Sequence, residues 1–178
     1  MKNYPFQMSG GMRQRALIAI AVACHSKLII ADEPTTALDV TTQAQVMELL
    51  LSLVKTYSTS IIVVTHNLGL VTRYADRVYV MYAGKIVESG TTEDILMRPM
   101  HPYTKGLISC VPKLNSNKDS ELVPITGAPP KLNDLPAGCA FRPRCPYARE
   151  ICSSMEFPSL VRVGDNEHYA ACYLAGEA

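Results

Sequence analysis

Leu28-Ile29-Ile30-Ala31-Asp32-Glu33 is an apolar run that ends in two adjacent carboxylates. A short, uninterrupted apolar stretch of this kind predicts a strand buried on both faces of a parallel sheet. By itself it says little about chemistry, because many strands end in a solvated Asp. Working outward, residues 41–56 carry Val46, Leu49, Leu50 and Leu53 at helical spacing, and residues 60–65 form a second strand rich in β-branched side chains. On the other side, Ser9 is placed to cap a helix over 12–24 that is apolar on nearly every face and is expected to be buried. Strand and helix alternate, which implies an α/β sheet covered on both faces.

Further along, residues 68–74 read as a short helix, and 77–82 with 85–88 as a hairpin about Ala83-Gly84. Thr91 and Asp94 have the spacing of a capping box for a helix that closes before Pro99. Residues 112–136 contain five prolines without periodicity and read as a linker or an extended wrap. The domains expected are 1–100 for the α/β part, 101–138 for a helix and proline-rich linker, and 139–178 for a small, irregular, cysteine-rich region.

With 178 residues, 48% of them hydrophobic, the chain can bury a core, and its formal net charge of +1 holds no basic run that would favour nucleic acid. The apolar run 16–24 is too short to cross a bilayer and lacks a small-residue cleavage pattern. Six cysteines without an export signal are expected in a reducing compartment, where metal binding or simple burial is favoured over disulfides.

Spacing raises the acidic strand end above its neighbours. Met8-Ser9-Gly10-Gly11-Met12-Arg13-Gln14-Arg15 precedes it; Pro34-Thr35-Thr36-Ala37-Leu38-Asp39 and Val63-Val64-Thr65-His66 follow. In this order the set resembles the signature, Walker B strand, D-loop and switch histidine of the ABC ATPases, over residues 1 to about 100. The resemblance implies a partial P-loop NTPase core with a parallel sheet. It implies that Asp32 holds Mg²⁺, that Glu33 is the general base, and that His66 reaches the γ-phosphate of ATP and the attacking water. Asp39 would make the D-loop contact, besides being an ordinary helix cap. Ser9, Gly10 and Gly11 would offer N–H groups and a positive helix end to the γ-phosphate bound by an opposite subunit. No Gly-x-x-x-x-Gly-Lys-Ser/Thr loop occurs in the sequence. The chain is therefore expected to be the carboxy-terminal part of a longer subunit and inactive when isolated.

His101-Pro102-Tyr103-Thr104-Lys105-Gly106-Leu107 resembles the tail motif of the oligopeptide and dipeptide importers' ATPase subunits, of D type, with Tyr103 and Leu107 on one helix face. This implies an ATPase that energises peptide import, peripheral on the cytoplasmic face of the membrane. Its partners would be an F-type ATPase in a heterodimer, two transmembrane permeases and, indirectly, a solute-binding protein. A non-catalytic module that lends its signature to a full-length ATPase, and nickel rather than peptide uptake, are the alternatives. Cys139, Cys145, Cys152 and Cys172 are separated by five, six and nineteen intervening residues in a region with little apolar periodicity, which calls for a staple. Zn²⁺, a cluster or four free thiols all satisfy that pattern; the family resemblance implies [4Fe–4S]. Cys24 and Cys110 read as buried small hydrophobes.

Overall fold

The computed structural model describes residues 4–36, 38–111, 124–153 and 156–175. The chain divides into two compact units, Met1–His66 and Asn67–Ala178. Among the described residues no helix is long and apolar enough to cross a membrane.

In the first unit, helix α1 runs Gly10–Ala23 and helix α2 Val40–Thr56. Both start on side-chain caps, which satisfy N–H groups that a helix's first turn leaves without partners. Ser9 Oγ accepts from the Met12 N–H at 3.3 Å, and Asp39 Oδ1 from the Thr42 N–H at 3.0 Å. Between and after them lie strands β1, Leu28–Asp32, and β2, Ser60–Val64. They pair in parallel, with Leu28 opposite Ser60 and Asp32 opposite Val64, and α2 forms the crossover that parallel pairing requires. Ile18, Val46 and Leu50 are the buried centre, with Val22, Ala31, Leu38, Leu53 and Ile61 packed on them. Gly11 lets the two helices meet, since a Cβ there would stand 2.9 Å from Thr42 Cγ2.

Two expectations need correction here. Strands alternate their side chains, and α1 and α2 cover the face of Ile29, Ala31 and Ile61 only. On the opposite face Ile30 is 66% exposed and Ile62 50%, so β1 is not buried on both sides. Helix α1 is not buried all round either: Ile18 is its one fully buried side chain, while Leu17 and Ile20 face outward. In both cases the uncovered apolar surface has no layer of described residues over it.

The second unit is built on a four-stranded sheet in the order β3-β4-β6-β5. Strands β3, Arg77–Tyr82, and β4, Lys85–Thr91, form the expected hairpin, turned by Ala83 and Gly84, both at positive φ. Strand β6, Tyr169–Ala170, pairs antiparallel with both β4 and β5, Val161–Arg162. Three helices complete it: α3, Leu68–Tyr74; α4, Thr92–Met97; and α5, Pro102–Ser109. Thr91 caps α4 by accepting from the Asp94 N–H and donating to Asp94 Oδ2, as its spacing predicts.

Residues 139–152 do not lack a core. Cys139, Ala140, Phe141 and Cys152 are buried with Val80, Tyr82, Val87 and Ile95 in one cluster, on which Tyr103, Leu107 and Ile125 pack. Phe141 meets the rings of Tyr82, Tyr103 and His101 at centroid distances of 5.2, 5.4 and 5.8 Å, within the range where aromatic pairs attract. The expectation failed because these few apolar residues have no period of their own and pack on elements far away in sequence. Part of the proline-rich segment, 112–123, lies outside the described residues. From 124 onward it is held, with Arg144 donating to the carbonyls of Ile125 and Thr126.

Candidate functional site

Parallel pairing of β1 with β2 brings the ends of both strands to one edge of the first unit, where open α/β sheets bind ligands. Asp32 closes β1, Glu33 follows it, and His66 comes two residues after β2. Glu33 is tied to the neighbouring strand by its own N–H, which donates to the Val64 carbonyl at 2.9 Å. Its φ is 46°, a left-handed conformation that a non-glycine residue adopts at a cost and that is common where function dictates geometry.

Side chains at this edge meet. His66 Nδ1 lies 2.7 Å from Glu33 Oε1, and Thr36 Oγ1 donates to Glu33 Oε2 at 3.0 Å. An ionised carboxylate only accepts, so Nδ1 of His66 is the protonated nitrogen and Nε2 is turned to the remaining side. The hydrogen bond from His66 lowers the Glu33 pKa below the ordinary carboxylate value; partial burial opposes it and Thr36 reinforces it. Glu33 is thus an ionised, oriented carboxylate, and the imidazole is 84% exposed to whatever binds there. Asp32 is exposed beside it, and its oxygen donors suit a hard divalent ion.

The other residues expected at the site lie in the same unit. Ser9, Gly10 and Gly11 open α1, with Ser9 and Gly10 exposed. A Cβ on Gly10 would stand 3.2 Å from Leu38 Cδ2, so both glycines also serve packing. Asp39 is a helix cap that receives both the N–H and the hydroxyl of Thr42, the hydroxyl contributing most to holding its pKa down. Thr36 was missed by sequence reasoning, although its place three residues after Glu33 in a turn allows its hydroxyl to reach back.

In the second unit the four tail cysteines face a common cavity. Cys139, Cys145, Cys152 and Cys172 line one cavity, with His101 and Phe141 among its other walls. None is in a disulfide. Burial raises the thiol pKa values of Cys139, Cys145 and Cys172, and the neighbouring sulfurs add to that rise. Such thiols stay protonated until a cation compensates the thiolate charge. The donor set therefore fits a thiolate-bound metal centre in its chemistry. Its arrangement does not match a single ion: among the described residues no three His, Cys, Asp or Glu side chains are gathered to hold one. Cys24 is exposed and Cys110 half-buried, so the expectation that both are buried fails; each lies on or just past the last turn of a helix that leaves it partly open.

A polar clamp beside this cavity was not anticipated. Glu88 on β4 is fully buried and accepts three hydrogen bonds, from the N–H groups of Met100 (2.7 Å) and His101 (2.9 Å) and from His168 Nε2 (2.7 Å). It links the hairpin to the start of α5 and to β6, 80 residues on. No local pattern in sequence signals such a contact.

Residues 1–36 match the family model described as ABC transporter, and residues 87–152 the one described as oligopeptide/dipeptide transporter, C-terminal region. Among curated proteins, the oligopeptide transport ATP-binding protein OppD of Salmonella typhimurium is 54% identical over 154 residues, which are 86% of this chain and 46% of that protein. The dipeptide transport ATP-binding protein DppD of Bacillus subtilis is 49% identical over 174 residues, 98% of this chain and 51% of that one. The chain thus spans about half the length of the curated relatives it matches. Among solved structures, an inward-facing ABC transporter of metal-chelate type aligns at TM-score 0.50 and 32% identity, over 58% of this chain and 39% of that one.

Proposed function

The chain belongs to the ATP-binding subunits of the oligopeptide and dipeptide ABC transporters, about half of whose length it spans, and from this we infer that it supplies the hydrolytic edge of an ATPase that drives peptide import. The observation that carries the reading is the Glu33–His66 contact at the joint carboxyl end of two parallel strands. ATP is the substrate. Asp32 would hold Mg²⁺, which neutralises charge on the phosphates when bound. Glu33 would take the proton from the attacking water, with Thr36 and His66 fixing its two oxygens. Exposed at this edge, the His66 ring would face the γ-phosphate, donating to it from Nε2 when both ring nitrogens carry protons. Ser9, Gly10 and Gly11 would offer the start of α1 to the γ-phosphate of a paired subunit, and Asp39 would add its D-loop contact. A phosphate loop must come from outside residues 1–178, which contain no such motif.

The partners that follow are an F-type ATPase as heterodimer mate and two permeases, with a solute-binding protein acting through them, at the cytoplasmic face of the membrane. Residues 1–100 would carry the ABC core, with the importer's tail from 101 on. The relatives' names favour oligopeptides and dipeptides over nickel as cargo. For the four cysteines we propose a [4Fe–4S] cluster rather than Zn²⁺, because all four line one cavity, their spacing lacks the two-residue gaps usual for zinc sites, and the resemblance to the importers' tail implies a cluster. Protein prepared without oxygen should then be brown with about four irons and four sulfides per chain.

The test of the whole reading is a chimera in which this chain replaces the matching stretch of the Salmonella OppD. Restored uptake of labelled oligopeptides in a strain lacking OppD, lost again on Glu33→Gln, is the expected result. A well-expressed chimera that restores no uptake would overturn the assignment.

A further inference from the structure

We propose that His101 donates a hydrogen bond from Nε2 to a sulfur of the metal–thiolate centre held by the four tail cysteines, as a positioning and tuning residue; this rests on the cluster reading above. His101 is 1% exposed. Its main-chain N–H is held by Glu88 Oε2 at 2.9 Å, and its ring packs against Phe141 with centroids 5.8 Å apart. Its Nδ1 lies 3.0 Å from the N–H of Tyr103. A main-chain N–H can only donate, so Nδ1 is the accepting nitrogen. A neutral imidazole carries one proton, which must then sit on Nε2.

That Nε2–H is buried and has no partner among the described residues. Buried donors without acceptors are rare, and each calls for an explanation. Here the residue lines the same cavity as Cys139, Cys145, Cys152 and Cys172, so an acceptor at the centre of the thiols would complete it. The acceptor that fits is electron-rich sulfur: a metal-bound thiolate, or a sulfide of a cluster. Metal-bound histidines and cysteines commonly depend on such outer hydrogen bonds for their orientation and electronics. The clamp on Glu88 gains a purpose from this, because it fixes the main chain from which the imidazole projects.

A hydrogen bond to sulfur stabilises the reduced, more negative form of a cluster and raises its reduction potential. The experiment uses the 178-residue chain, reconstituted anaerobically with ferrous iron and sulfide, and compares the wild type with His101→Phe and His101→Gln by redox titration. The potential should fall in His101→Phe and recover, at least in part, in His101→Gln, whose amide can donate from a similar place. An unchanged potential in a loaded His101→Phe protein would overturn the inference while leaving the cluster intact. Wild-type protein that takes up neither iron nor colour would sink the cluster reading, and this inference with it. Should His101→Phe fail to fold, pulsed electron paramagnetic resonance of the reduced wild type with ¹⁵N-labelled histidine decides. A weak coupling to one imidazole nitrogen is expected; no coupling, or the strong coupling of a direct ligand, contradicts the proposal.

Discussion

The two units of this chain divide their labour between chemistry and cohesion. In the first, Met1–His66, the residues proposed for chemistry sit at the ends of strands, with His66 open to solvent, while the described residues leave one face of its two-stranded sheet uncovered. In the second, Asn67–Ala178, aromatic rings, thiols and a buried carboxylate are enclosed by strands and turns brought from distant parts of the sequence. Residues that act on a ligand must remain reachable. Residues that hold a fold together gain most from losing water, provided their polar atoms find partners.

Substitutions should therefore cost most stability at the enclosed polar contacts of the second unit and least at the open edge of the first. The largest loss of stability is expected at Glu88. Glu88→Ala leaves two main-chain N–H groups and His168 without their buried acceptor, and should cost about 3–5 kcal/mol in urea unfolding followed by circular dichroism. A cost below that of an exposed residue would mean that the clamp does not hold the second unit together.

In the first unit the sensitive position is a helix contact. Gly11→Ala forces a methyl against Thr42 Cγ2 and should cost about 1–3 kcal/mol in the same assay. Ser9→Ala removes the α1 cap and should cost about 1 kcal/mol, seen as a lower urea midpoint at unchanged slope. The smallest effect is expected at the reactive edge. Glu33→Gln keeps the shape of a half-buried side chain at the open edge and should change stability by no more than about 0.5 kcal/mol. A large destabilisation there would erase the contrast between the units.

The same contrast explains what could be read in the sequence. Asp32, Glu33, His66, Ser9, Gly10, Gly11 and Asp39 stand in short, ordered motifs whose spacing is set by single turns and strand ends, so the sequence singles them out as candidates through their resemblance to a family. The hairpin at Ala83-Gly84 and the caps at Ser9, Asp39 and Thr91 are legible for the same reason. Glu88 is not, because its partners lie 12, 13 and 80 residues away and nothing near it in sequence signals them. Phe141 is similar: one ring in an irregular stretch gives no periodicity, yet it centres the aromatic cluster. The outward faces of β1 and α1 show the reverse error, where apolar pattern predicts burial and the described residues supply no cover.

The central claim is that Glu33 and His66 act as a pair in ATP hydrolysis, and it is tested most directly by phosphate release from the OppD chimera carrying Glu33→Gln or His66→Ala. Both variants should bind ATP as the parent chimera does and lose steady-state turnover by at least about 100-fold, the range of a lost general base. Turnover close to that of the parent in either variant would contradict the account.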